Sequence, residues 1–286
     1  MQIAPLLPVT PDQAVVLRVA ERVREEGGRL LLVGGFVRDA ILSLWGRGSA
    51  PKDLDVEVFG VPLPRLRELL AQVGPVDEVG ASFGVLRVRG VDVDFSLPRA
   101  DRKVAGGHRG FLVDADPSMS VAQAAQRRDF TVNAIPADPL TGELLDPLGG
   151  LEDLRLGLLR AADDGAFIED PLRALRGAQF AARMRLEPAP GLTALMGAQD
   201  LSELPSERVF DEVRKLLLRG VEPSRGLRLL ADAGLLGALP GLASDVLDVA
   251  APALDRWVAS DLGARPERSL AEGLALLLAG RDGDPG

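Results

Sequence analysis

The chain has no cysteine, no tyrosine and a single histidine, His108, and each shortage removes a class of chemistry. Without thiols there are no disulfides, no thiolate metal sites and no cysteine nucleophile. One histidine cannot build a histidine metal centre, so catalysis must rest on carboxylates, arginines and backbone groups. Aromatic residues are only 4% of the chain, which argues against a broad stacking platform for bases. No apolar run reaches the roughly 18 to 20 residues of a membrane span, and no basic segment followed by a hydrophobic one opens the chain. The expectation is a cytoplasmic protein with no membrane partner. A net charge of −9 argues against indiscriminate nucleic-acid binding, which draws its affinity from Lys and Arg neutralising phosphates. Any RNA contact should be local. Lysine occurs only at Lys52, Lys103 and Lys215; compositional bias accounts for more of the arginine excess than a need for bidentate contacts does.

What is present fits two domains, which 286 residues can supply. Pro11 to Glu26 has helical spacing and stops at Gly27-Gly28. "RLLLVGG" (29–35) followed by "FVRDAILSLW" reads as strand, glycine turn, helix. In "KDLDVEVFG" (52–60), Leu54, Val56 and Val58 alternate with Asp53, Asp55 and Glu57, the pattern of a strand with one buried face and one carboxylate-rich face. A helix is expected at Leu63 to Val73, then strands at Ser82 to Val88 and Val91 to Leu97 around Gly90. From Arg99 to Pro117 periodicity is lost among Arg99, Arg102, Lys103, Gly106, Gly107 and Arg109, which predicts a mobile basic loop. Beyond Ser120 the pattern is largely helical, apart from a turn-rich stretch at Ala134 to Gly150. The fold class is therefore α+β, with a sheet-containing domain over 1–150 and an all-α domain over 151–286.

Asp53 and Asp55, at i and i+2 on a strand, project from the same face and can bind the same pair of metal ions. Such a pair suits phosphoryl transfer with magnesium, since hard cations prefer oxygen ligands. On its own a D-x-D pair is weak, and an ordinary solvent-facing strand is the commoner outcome. Gly34-Gly35 sits at a strand-to-helix turn, where bare backbone and a helix N-terminus can approach phosphates. Asp92 and Asp94 in "VDVDFSLPR" (91–99) share a face and offer a third carboxylate.

"LLVGGFVRD" (31–39), "DLDVEVF" (53–59), "RRDFTVNA" (127–134) and "EDPLRALRGAQFAAR" (169–183) occur in an order and spacing that resemble the class II tRNA nucleotidyltransferase and bacterial poly(A) polymerase family. "DPLGGLEDL" (146–154) and "SERVFDEVRKLL" (206–217) are also similar, so the resemblance covers about residues 29 to 240. It implies a polymerase-beta-like nucleotidyltransferase head with a mixed sheet, followed by a helical neck and body that reads the base and binds RNA. By the same resemblance Gly34, Gly35 and Arg38 contact the triphosphate, Asp53 and Asp55 hold two magnesium ions, and Asp94, five residues before Arg99, is the third carboxylate, with Asp92 the alternative. Arg127, Arg128, Asp129 and Asn133 would surround the nucleotide. Glu169, Asp170, Arg173 and Arg176 would read the base through hydrogen bonds, the protein acting as template. A competing reading exists at that last group. Asp170-Pro171 is a helix-start signature, and Glu169 with Arg173 has the spacing of a surface ion pair; capping would occupy Asp170, which ranks Arg173 above it as a base reader.

The implied activity is attack of a tRNA 3′ hydroxyl on the α-phosphate of CTP or ATP, releasing pyrophosphate. The basic loop after Arg99 matches in position a flexible loop that influences whether cytidine or adenosine is added; His108 reads as a loop residue rather than a base or ligand. Histidine is absent after His108, so the hydrolase domain appended to many bacterial members is not expected. The helical region is short for a complete neck, body and tail, which implies a compact member or a fragment. Alternatives are a poly(A) polymerase, distinguished by product length, and a non-catalytic RNA- or nucleotide-binding paralogue, distinguished by lack of metal-dependent turnover. The residues do not choose among CCA, CC, A or poly(A) addition.

Overall fold

Thr10 caps the first helix. Its hydroxyl accepts from the Gln13 amide at 3.4 Å while Gln13 Oε1 accepts from the Thr10 amide at 3.0 Å, so two otherwise unpaired donors are satisfied reciprocally. The computed structural model describes residues 10–48, 51, 54–79, 84–103, 111–202, 204–239 and 247–261. Asp53 and His108, singled out above, lie outside the described residues. The chain divides into two units, Met1–Leu151 and Glu152–Gly286.

The first unit contains α1 (Pro11–Glu25), β1 (Arg29–Val33), α2 (Gly35–Leu44), β2 (Leu54–Phe59), α3 (Leu63–Ala71), β3 (Val76–Val79), β4 (Val85–Val88), β5 (Val93–Ser96), β6 (Arg99–Lys103), β7 (Phe111–Ala115) and α4 (Val121–Gln126). Five strands form a mixed sheet in the order β1-β2-β5-β4-β3. β2 and β5 run parallel, and the other neighbours are antiparallel. The sheet's alternation separates two environments, because register partners share a face. Leu30, Leu32, Val56, Val58 and Phe95 are buried, as are Val16, Val19 and Val23 of α1, which packs on β1 and α3. On the opposite face Val33 pairs with Asp55, Leu31 with Glu57, Asp55 with Asp94 and Glu57 with Ser96. Among the described residues of the first unit, Ala124 of α4 packs on part of that face, against Leu31, Val33 and Phe59.

The stretch after Arg99 departs from the expected loop. β6 and β7 form an antiparallel ladder from Arg99↔Ala115 to Lys103↔Phe111. β6, "RADRK", lacks alternating apolar residues, so its strand is set by pairing rather than by pattern. The connecting residues 104–110 lie outside the described residues.

α5 (Gly150–Leu156) spans the boundary, and the second unit continues with β8 (Leu158–Leu159), α6 (Asp164–Glu169), α7 (Leu172–Met184), β9 (Glu187–Pro188), α8 (Leu192–Gly197), α9 (Ser206–Arg219), α10 (Pro223–Asp232) and α11 (Leu247–Asp261). α7 packs against α9 and α10, and α10 against α11. Ala174, Ala178, Ala181 and Ala182 keep the buried face of α7 low, and Gly226 of α10 approaches so closely that a Cβ there would lie 2.4 Å from the Ala178 carbonyl oxygen. The start of α10 is held from α11: the Ser224 amide donates to Asp255 Oδ1 at 3.0 Å and the Ser224 hydroxyl to Oδ2 at 2.5 Å. Among the described residues no helix is long and apolar enough to cross a membrane.

Candidate active site

The Asp55 face of the sheet is the floor of a cleft of about 360 Å³. Strand alternation places three carboxylates there, Asp55 and Glu57 from β2 and Asp94 from β5. Arg99, which begins β6, and Arg127 and Arg128, which follow α4, bring three guanidiniums to the same space. α4 is fixed by a capping box, the Gln123 amide donating to the Ser120 hydroxyl oxygen at 3.3 Å and the Ser120 amide to Gln123 Oε1 at 3.0 Å. The helix ends at Gln126, so the two arginines emerge at its C-terminus beside β1 and β2.

Asp94 rather than Asp92 reaches the cleft. Asp94 is the register partner of Asp55, whereas Asp92 precedes β5 and does not line the cavity. Asp53 cannot be placed beside them, since it lies outside the described residues. Among the described residues no three His, Cys, Asp or Glu side chains form a metal-holding group. The Asp55–Asp94 juxtaposition nonetheless fits a hard cation: the donors are all oxygen, and neighbouring strands are spaced by about 4.8 Å.

Glu57 and Arg128 form an ion pair across the cleft, and Arg128 also borders the glycine turn. Gly34 has φ 69° and ψ −138°, a conformation open to glycine and costly for any residue with a Cβ. A Cβ on it would sit 3.6 Å from Arg128 Nη1. Gly35 then opens α2. A backbone turn without side chains, a helix N-terminus and a guanidinium thus converge at one point, an arrangement that can receive phosphate oxygens.

Arg38, Asp129 and Asn133 come together behind this turn rather than in the cleft. Arg38 is only 3% exposed; it donates to Asn133 Oδ1 through Nη1 and to Asp39 Oδ1 through Nε at 2.8 Å. Asn133 Nδ2 donates to Asp129 Oδ1 at 2.9 Å, and the same oxygen accepts the Phe130 amide at 2.8 Å. This buried chain ties the "GGFVRD" segment to the "RRDFTVN" segment.

Sequence reasoning missed Arg87. β4 places Val85 on the cleft face and Leu86 on the core face, so alternation turns Arg87 to the same side as Val85, beside Asp94 at the edge of the cleft. Its Nε and Nη2 donate to Asp94 Oδ1 at 2.8 and 2.5 Å. The guanidinium holds its proton more tightly than usual, first through that hydrogen bond and the charge of Asp94, against a small burial penalty, with help from Asp92 and Asp55. The alternation of "VLRV" could have signalled its direction, but the partner could not be read locally. Glu57 was visible as one of an alternating set; its pairing with Arg128 was not.

The remaining sequence candidates lie in the second unit. Glu169 closes α6 and Arg173 lies in α7, so the two are not neighbours on one helix; Asp170 and Pro171 interrupt the run. Asp170 Oδ1 accepts the Leu172 amide at 3.1 Å, the capping role weighed from sequence, while Oδ2 lies 4.0 Å from Arg208 Nη2. Arg176 lies over the Phe180 ring, 5.3 Å from its centroid.

Residues 30–160 match a family model described as the poly A polymerase head domain, and residues 197–246 one described as the probable RNA and SrmB-binding site of polymerase A. A multifunctional CCA protein of Xanthomonas campestris is 39% identical over 218 residues, and one of Stenotrophomonas maltophilia is 38% identical over the same length; the alignments take in 74% of this chain and 50% and 51% of those proteins. The chain spans about half the length of the curated relatives it matches. Among solved structures, the Bacillus stearothermophilus CCA-adding enzyme in complex with CTP superposes with a TM-score of 0.74 at 25% identity, covering 96% of this chain and 64% of that one. A tRNA nucleotidyltransferase complexed with a primer tRNA and an incoming ATP analog gives 0.67 at 26% identity, covering 91% and 75%.

Proposed function

We propose that this chain, which belongs to the class II tRNA nucleotidyltransferase and bacterial poly(A) polymerase family, transfers C, A or both from CTP and ATP to the 3′ end of tRNA. The observation that carries the reading is the register pairing of Asp55 with Asp94 in a cleft that also holds Arg128 beside the Gly34 turn. Magnesium, held by Asp53, Asp55 and Asp94, would activate the attacking 3′ hydroxyl and stabilise the leaving pyrophosphate. Arg127 and Arg128 counter the triphosphate charge, and the bare backbone at Gly34 and Gly35 lets phosphate oxygens approach. Asp94 also serves as the proton acceptor for the attacking hydroxyl. Burial gives Arg38, Asp129 and Asn133 the task of fixing the turn against the arginine segment from behind. Glu169, Asp170, Arg173 and Arg176 select the base; the capping bond uses Oδ1 of Asp170, and Oδ2, which faces Arg208 at 4.0 Å, takes part in recognition. A cytoplasmic location goes with a tRNA substrate.

The test is incubation with magnesium and tRNA transcripts ending before CCA, after the first C, and after CC, with labelled CTP or ATP supplied separately. Extension of the first two by CTP and of the third by ATP identifies full CCA addition, and restriction to one nucleotide identifies a specialist. Long A ladders identify a poly(A) polymerase, the second reading favoured by the description of the matching head domain. No extension by a folded, nucleotide-binding chain identifies a binding module.

A further inference from the structure

Resting on that metal-dependent reading, we propose that Arg87 is a positioning residue that occupies Asp94 and competes there with the incoming divalent cation. Two donors of one guanidinium converge on Asp94 Oδ1, while Oδ2 accepts no hydrogen bond among the described residues. Among the described residues the carboxylate is therefore held on one oxygen and open on the other. Asp92 and Asp55 add to the attraction on Arg87, which makes it the countercharge to acids that would otherwise repel one another.

A cation entering between Asp55 and Asp94 meets this guanidinium. At about 6 Å in surroundings as polar as water, a single and a double positive charge repel by an amount worth roughly tenfold in affinity. Against this stands any loss of orientation when the guanidinium leaves Asp94. That loss is small, because β5 is hydrogen-bonded on both sides, to β2 and to β4, and the ladder already sets the direction of the Asp94 side chain. Charge outweighs orientation. The pair is also replaceable: its side chains are 42% and 38% exposed, so solvent screens the contact and the fold gains little from it. Removing Arg87 should tighten cation binding without unfolding the sheet.

The experiment titrates the full chain with manganese, in the absence of nucleotide, and reads free Mn²⁺ by electron paramagnetic resonance. Arg87→Leu is expected to bind about tenfold more tightly than the unaltered chain. Arg87→Gln, uncharged but polar, should do the same and guards against a folding defect in the apolar variant. Arg87→Lys, which keeps the charge, should stay within about threefold of the unaltered chain, and Asp55→Asn should lose binding. Unchanged or weaker binding in both uncharged variants overturns the competition and leaves the metal site standing. Manganese that binds no form, or binds Asp55→Asn as well as the unaltered chain, overturns the metal site and the competition together.

Discussion

Asp55 and Asp94 are register partners across the parallel strands β2 and β5, so carboxylates from distant parts of the chain share one face of the sheet. Asp55 is exposed and makes no part of the apolar core. Asp55→Asn is therefore expected to lower nucleotide incorporation by roughly a thousandfold or more, while moving the thermal midpoint by less than about 2 °C. Single-turnover incorporation and a melt of the same sample check both halves. An early melt with proportionate loss of activity would give Asp55 a structural role instead.

Asn133 bridges the buried Arg38 guanidinium and Asp129. Asn133→Ala removes the acceptor Oδ1 from a buried charged hydrogen bond and should cost about 2 kcal/mol of stability. Urea unfolding would register this as a lower midpoint at unchanged slope. A midpoint equal to that of the unaltered chain would remove the network from the account of how the glycine turn is held.

Gly226 lies where α10 meets α7, with Ala178 O in the way of any Cβ. Gly226→Ala is expected to destabilise the second unit by about 1–3 kcal/mol, because one helix must retreat from the other. Hydrogen exchange should show the loss in amides of α7 and α10 while those of β1 and β2 keep their protection.

The Asp116 carboxyl is held below the usual carboxylate range, first by the Ser118 hydroxyl at 2.6 Å and then by the Ser118 amide at 2.9 Å. A carboxyl whose folded pKa is depressed stabilises the fold above its unfolded pKa, and that contribution disappears as pH falls through the folded value. Ser118→Ala should therefore raise the Asp116 midpoint in a carboxyl-carbon NMR titration. A midpoint unmoved by the substitution would assign the depression to other groups.

Much of the first unit was legible because its periods are short. The alternation in "DLDVEVF" fixes which side chains of β2 face the core, and Gly34-Gly35 marks the end of β1. Both depend on residues within a few positions of each other. Legibility fails where pairing is distant. Nothing near Arg87 indicates that β4 will lie against β5 and deliver it to Asp94, and nothing near Glu57 points to Arg128. Arg38 was expected at the triphosphate; its burial depends on Asn133 from far along the chain. β6 went unrecognised because edge pairing with β7 overrides a polar sequence. At Asp170-Pro171 the local signal was sufficient, and the break between α6 and α7 follows from it.

The parallel pairing of β2 with β5 has a kinetic consequence. Antiparallel β1 and β2 are joined through α2, but Asp55 and Asp94 meet only after α3, β3 and β4 have been laid down between them and the long crossover has closed. Closing that loop draws on chain entropy before any contact repays it. During refolding, helix signal from α1 and α3 should therefore appear before the two carboxylates are joined, and catalytic competence should be among the last properties the head acquires.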